Sequence, residues 1–194
     1  MERLMLETED WRAFQAKDWA GYKERGSARG YFSVPEFKST ELLADLLAGV
    51  EGPVLDVGCG VLPMPNYLKK CKQPYGIDPF PGDEVRGFPF VQAMGEALPF
   101  QSNWFAATFL MSSLDHTLSP RAVICECWRV LRKKGLLFIW YKNKWEKDAY
   151  HPWTFTTGKI LDILDYYFEW LDQMHYKAGP GYSKTDLMIT RKVQ

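Results

Sequence analysis

The sequence predicts an α/β protein built on a doubly wound sheet of about seven strands, mostly parallel, with the last strand antiparallel. Three observations carry that prediction. Short apolar runs alternate with helical stretches across short loops, the pattern of a parallel sheet covered by helices on both faces. The run Val54-Leu55-Asp56-Val57 breaks into Gly58-Cys59-Gly60, as a buried strand does when it enters a tight turn. The last two strand-like runs have no helix between them, so the final strand can turn back antiparallel.

The totals suit such a fold. A chain of 194 residues can bury a full core, and 46% hydrophobic with 25% charged residues is ordinary for a globular protein. Lys+Arg and Asp+Glu are 24 each, and this zero net charge argues against a broad basic surface for nucleic acid. Residues Met1 to Asp10 carry Glu2, Glu7, Glu9, Asp10 and Arg3, so no signal-peptide core is expected there. No stretch reaches the roughly 18 apolar residues of a membrane span, so a cytoplasmic location without membrane contact is expected. Cys59, Cys71, Cys125 and Cys127 read as reduced packing residues, and no metal site is expected.

The elements follow in order. Residues 1–38 are rich in aromatics and glycines and form an N-terminal cap segment, with a helix around 8–22. The main domain is residues 39–194. A helix over about 40–49 carries Leu42, Leu43, Leu46, Leu47 and Val50 on one face, with Thr40 as its cap and Gly52-Pro53 as its stop. The first strand is Val54 to Val57. Proline is tolerated only in a helix's first turn, so the next helix starts near Pro65, with Lys69-Lys70 at its negative end. Tyr75-Gly76-Ile77 is a second strand ending on Asp78-Pro79, and Phe90 to Gln92 a third. Trp104 to Met111 is a buried fourth strand. Ser119-Pro120 opens a helix that Arg129, Arg132, Lys133 and Lys134 close and Gly135 ends. Leu136 to Trp140 is the fifth strand. Thr156 or Thr157 caps a last helix, and strands Phe168 to Met174 and Leu187 to Arg191 follow, separated by Gly179-Pro180-Gly181.

In an open parallel sheet, ligands sit beyond the carboxyl ends of the central strands. Gly58 and Gly60 let a ligand approach the backbone there, and Asp56 presents a carboxylate at the same edge. Asp78 stands 22 residues further on, the spacing at which an acid commonly accepts from ribose hydroxyls. Together these suggest an adenosine-bearing cofactor. A dinucleotide site wants a third glycine, but Gly60 is followed by Val61-Leu62-Pro63, which supports a phosphate cradle poorly. S-adenosylmethionine (SAM) has no phosphate and carries an amino acid end that a carboxylate and backbone groups can hold.

These stretches resemble the ordered motifs of class I SAM-dependent methyltransferases of the small-molecule, methyltransferase domain 11 type, which have a Rossmann-like sheet. Val54 to Gly60 is similar to the first motif and Tyr75-Gly76-Ile77-Asp78 to the acidic second one. Glu96 to Phe100 reads EALPF, Leu114-Asp115-His116 is similar to LEH, and Glu126 to Gly135 to E-x-x-RVLKPGG. His151-Pro152 with Phe155-Thr156 is similar to an HP…FT segment, and the likeness runs over about residues 40–192.

The resemblance implies SAM as cofactor and S-adenosylhomocysteine as product. It implies that Asp56, Gly58, Cys59 and Gly60 hold the methionine end, and Asp78 with Pro79 the ribose. Ala93, Met94 and Gly95 would line the adenine edge, and Leu110 and Met111 would lie near the sulfonium. Three positions depart from the pattern: Leu62 stands for a glycine, Met94 for an acid and Ala106 for an aspartate.

Methyl transfer needs alignment more than a dedicated catalytic group, and a base helps only where the acceptor must lose a proton. His116, beside Asp115 after the fourth strand, and Tyr141, closing the fifth, are the candidate catalytic residues. His151 is expected to be structural and His175 to lie on the surface. The aromatics Trp19, Tyr22, Tyr31, Phe32, Trp145, Tyr150 and Trp153 flank the same mouth, as a lid or as a dimer interface. A small-molecule acceptor is expected, with the chain a monomer or homodimer. The departures motivate a second reading, a methyltransferase-like binding or regulatory protein without activity. A macromolecular acceptor is a third, and a nucleotide-dependent dehydrogenase a distant fourth.

Overall fold

A computed structural model describes residues 38–80, 85–143, 151–177 and 184–193. The cap segment with its helix around 8–22, the Thr40 side chain, Trp145, Tyr150 and the Gly179-Pro180-Gly181 turn lie outside the described residues.

Seven strands form one sheet: β1 (Val54–Val57), β2 (Pro74–Asp78), β3 (Phe90–Gln92), β4 (Phe105–Met111), β5 (Leu131–Lys142), β6 (Phe168–Lys177) and β7 (Lys184–Lys192). Their order is β3-β2-β1-β4-β5-β7-β6, with β1 and β4 near the centre. The pairs among β1 to β5 are all parallel, and β7 runs antiparallel between β5 and β6. The expected sheet, with its antiparallel last strand, is therefore the observed one.

Helix α1 (Lys38–Ala48) packs on one face, and α2 (Pro120–Val130) and α3 (Thr157–Leu164) on the other. Strand alternation divides the core between the faces. Leu55 and Val57 join α2 and α3, while Val54 joins Leu43 and Leu47 of α1. Such burial on both sides is why β4 is apolar almost without interruption.

Three elements differ from expectation. Helix α1 already includes Lys38, which puts Thr40 inside it and not at its cap. Only a 3-10 turn, Asn66–Leu68, follows Pro65 in place of a helix. Pro74 already opens β2, and the residue before a proline is pushed out of helical conformation, so the interval is too short for several turns. Helix α2 also stops at Val130, five residues before Gly135. Its last carbonyls are taken from outside: Asn103 N donates to Arg129 O at 3.0 Å and Trp104 N to Val130 O at 2.8 Å. Lys192 Nζ donates to Leu131 O at 2.7 Å, so β7 supplies the cation expected from residues 132–134. Residues 132–134 are instead exposed, and Lys134 takes φ +60° where β5 breaks step between Leu131 and Leu136.

The Ser119 and Thr156 caps are as expected, accepting from Ala122 N at 3.4 Å and Lys159 N at 3.3 Å. The stretch 96–100 is locked onto α2. Glu126 Oε2 accepts from Leu98 N at 2.8 Å, and Arg129 Nη1 and Nη2 donate to Phe100 O and Leu98 O at 2.7 and 2.8 Å. Glu126 and Arg129 also pair with each other at 2.7 Å. Glu126→Ala strips a half-buried amide and a guanidinium of their acceptor at once. It is expected to cost about 2 kcal/mol in urea denaturation.

Candidate active site

The carboxyl edge of the central strands gathers four loops. Gly58 N and Cys59 N both donate to Ile77 O, at 2.9 and 3.0 Å, which folds the first turn onto the end of β2. Gly58 and Gly60 take φ +83° and +66°, a region that disfavours side chains. A Cβ on Gly58 would also lie 2.5 Å from Ser113 Cβ. The loop after β4 is fastened to the same turn, since Ser113 Oγ donates to Val57 O at 2.6 Å. Ala93 N donates to Asp78 O at 3.1 Å, bringing residues 93–95 alongside.

Two carboxylates are buried in this edge. Asp56 is fully buried, and its Oδ2 accepts from Tyr67 OH at 3.1 Å. Its Oδ1 is also buried and has no hydrogen-bond partner. Desolvation pushes the Asp56 carboxyl well above the usual carboxylate range, against the Tyr67 hydrogen bond; Asp78 adds to the rise and Arg86 opposes it. Asp78 Oδ2 accepts from Gly60 N at 2.8 Å and Oδ1 from Phe80 N at 2.9 Å. Burial raises its pKa to about 6, although both amides, Arg86 and His116 favour the ionised form.

Arg86 is a functional candidate that the sequence did not mark. Its Nη1 donates to Leu62 O at 2.9 Å, and its guanidinium lies 4.4 Å from the Phe90 ring centroid. It thus ties the altered Leu62 position to the loop before β3. Tyr67 and Ser113 were also unmarked, because each acts through a partner remote in sequence. Cys59 is buried, and desolvation holds its thiol well above the ordinary range, which suits packing. All four cysteines are free.

Other expected positions fall on or beside the same edge. Pro79 continues from Asp78, and its carbonyl accepts from Gln92 Nε2 at 2.9 Å. Gly95 packs against Val57 and Val123, where a Cβ would come within 3.2 Å of both. Met94 O accepts from Ala97 N at 3.2 Å. Leu110 and Met111 are buried at the end of β4. His116 ends the 3-10 turn Leu114–His116, its ring centroid 4.6 Å from that of His151.

Tyr141 belongs to a network centred on Asp186, which is 1% exposed and lies opposite it on β7. Asp186 accepts from Asn143 Nδ2 at 2.5 Å and Gln173 Nε2 at 3.0 Å. His175 Nδ1 lies 2.6 Å from the other oxygen, while the rest of its ring is exposed as expected. Tyr141 OH lies 3.2 Å from Thr157 Oγ1. Burial first, then Asp186, pushes the phenol up to about 12, so it keeps its proton at neutral pH. Tyr141→Phe is expected to cost about 1 kcal/mol of stability, one hydrogen bond's worth, by urea denaturation.

The two carboxylates and the glycine turn are the polar features of this edge. Asp56 Oδ1 is a buried acceptor in want of a donor, and the Asp78 carboxylate ends the neighbouring strand. The glycine turn lies between them.

Comparisons with known proteins bear on the fold. Residues 55–139 match a family model described as a methyltransferase domain. No curated protein matches significantly in sequence. Among solved structures, the chain is similar to the Burkholderia thailandensis 1,6-didemethyltoxoflavin-N1-methyltransferase with bound 1,6-didemethyltoxoflavin and S-adenosylhomocysteine. The TM-score is 0.77 at 16% identity, over 98% of this chain and 92% of that one. A SAM-dependent methyltransferase from Thermotoga maritima matches at TM-score 0.69 and 17% identity, over 95% and 100% of the two chains. A chain of the Haloferax volcanii complex containing the Trm112 methyltransferase activator matches at 0.68 and 13%, over 93% and 98%. At these identities the likeness establishes a shared fold. Among the described residues, no helix is long and apolar enough to cross a membrane.

Proposed function

We infer that this chain, whose residues 55–139 match a methyltransferase domain, is a SAM-dependent methyltransferase acting on a small molecule. The observation that carries the reading is the pair of buried carboxylates at adjacent strand ends, Asp56 with an unfilled Oδ1 and Asp78 bracing the glycine turn.

SAM, when bound, supplies a methyl group on a sulfonium that leaves as a neutral thioether. The chain's own work is then to bind, orient and exclude water. Asp56 would accept from the amino end, whose positive charge would favour the ionised carboxylate that burial alone disfavours. Asp78 accepts from ribose hydroxyls while Gly60 and Phe80 hold the carboxylate in place. Cys59 and Gly60 present backbone to the methionine end. Pro79, Ala93, Met94 and Gly95 line the adenine side, and Leu110 and Met111 keep the reacting end dry. His116 is the candidate for taking a proton from an acceptor that carries one. Tyr141 serves better as an orienting hydroxyl than as a base.

A small acceptor is supported by the neutral chain and by the Burkholderia enzyme, which is bound to a small molecule. The test uses SAM labelled on its methyl group, the full chain, and a cell extract split by ultrafiltration. Label entering the low-mass fraction supports the reading. Label entering only protein or nucleic acid replaces the small acceptor by a macromolecular one. Label in neither fraction, with S-adenosylhomocysteine bound tightly, favours a binding protein without transferase activity. The Arg86 tie on Leu62 is the observation that keeps this last reading open, because it fixes the altered turn from outside the cofactor motifs.

A further inference from the structure

The geometry points to a divalent metal site formed by Asp115, His116 and His151, with the ion held by one carboxylate and two imidazoles. One ligand atom from each residue lies within 4.8 Å of the other two. His116 Nε2 and Asp115 Oδ1 are 4.0 Å apart. Three ligands of one ion, each bound at about 2.0–2.2 Å, lie roughly 3.3–3.8 Å apart in a tetrahedral or trigonal arrangement, so side-chain rotation must close the three atoms by up to about an ångström. Their side chains are sheltered: Asp115 is 11% exposed and His116 26%.

The donors come from two segments far apart in the chain, and both are fastened. Asp115 and His116 sit on the 3-10 turn after β4. Glu96 Oε1 accepts from Leu118 N at 2.7 Å and Ser119 N at 3.1 Å, fixing that turn's exit. Trp153 Nε1 donates to Thr117 O at 2.6 Å, pinning the His151 segment onto the same turn. The bracing holds the two backbone segments side by side, and the ligand side chains reach from them. The two rings also lie at 54° to one another, which is compatible with nitrogens aimed at a common point.

Two imidazoles and a carboxylate suit zinc, iron(II), manganese or nickel better than calcium or magnesium. Three protein ligands leave coordination positions for water or another molecule. Ser113, at the entrance of the same turn, donates to Val57 O at 2.6 Å, which places the cluster beside the candidate cofactor edge. On the methyltransferase reading, the ion would take an acceptor oxygen as a further ligand and lower its pKa, with His116 then a ligand in place of a base. That consequence rests on the reading above; metal binding itself does not.

The test needs no methyl transfer. The full chain is stripped with a chelator and titrated with Zn2+ by calorimetry and with Co2+ by visible absorption. One ion per chain is expected, with cobalt d–d bands of nitrogen and oxygen ligation. His151→Ala is expected to weaken Zn2+ binding by about a hundredfold, and Asp115→Asn by at least about tenfold, in proteins whose circular dichroism matches the wild type. His175→Ala, on the separate Asp186 network, should change nothing. No saturable binding, or binding that survives both His151→Ala and Asp115→Asn, would overturn the site. So would a near-ultraviolet thiolate charge-transfer band, which assigns the ion to the cysteines.

Discussion

Gly58→Ala is expected to destabilise the fold by about 3 kcal/mol and to abolish S-adenosylhomocysteine binding. Two costs add. A side chain at φ +83° costs roughly 1–2 kcal/mol. The new Cβ must also displace Ser113, whose Cβ and Oγ would lie at 2.5 and 3.0 Å. Overpacking of that kind costs roughly 1–3 kcal/mol. Moving Ser113 breaks its bond to Val57 O, so the loop after β4 parts from the first turn. Urea denaturation checks the stability and calorimetry the binding. Ser113→Gly in the same chain relieves the clash and leaves the backbone strain. The double-mutant cycle should therefore return a favourable coupling of about 1–2 kcal/mol between the two sites. Additive effects would mean that the turn does not rest on Ser113.

Asp78→Ala is expected to weaken S-adenosylhomocysteine binding about a hundredfold, corresponding to two hydrogen bonds to a charged acceptor at roughly 1.5 kcal/mol each. The pH dependence is more diagnostic. Burial raises the folded-state pKa of Asp78 to about 6, above the ordinary value of 3.8. Between those values the folded chain holds a proton that the unfolded chain has released. The stability this group contributes is thus complete below its ordinary pKa and is lost as pH rises through about 6. Binding runs the other way, because only the ionised carboxylate accepts from both ribose hydroxyls. Lowering the pH from 7 to 5 should therefore weaken the ligand while Asp78 raises the melting temperature of the free protein. Asp78→Asn should flatten both differences, read as wild type minus variant in calorimetry and thermal melts.

What the sequence made legible was local. Val54–Val57 and Phe105–Met111 are recognisable because burial on both faces makes a central parallel strand almost wholly apolar. Ser119-Pro120 and Thr156 announce helix starts because a cap acts within three residues. What stayed hidden was long-range. The end of α2 is set by Asn103, Trp104 and Lys192, and no local signal at Gly135 could show it. Asp56 and Asp78 could be placed on one edge from strand order, but Tyr67, which donates to Asp56, and Arg86, which holds Leu62, could not, because short irregular loops deliver them. His151 was expected to be structural. The Trp153 bond to Thr117, across 36 residues, brings its segment to His116.

The most direct test of the central claim is calorimetric titration of the full wild-type chain with S-adenosylhomocysteine at pH 7.5. The site built by Asp56, Gly58, Gly60 and Asp78 predicts saturable binding of one ligand per chain in the micromolar range. Absence of binding at millimolar ligand by a folded chain would contradict it.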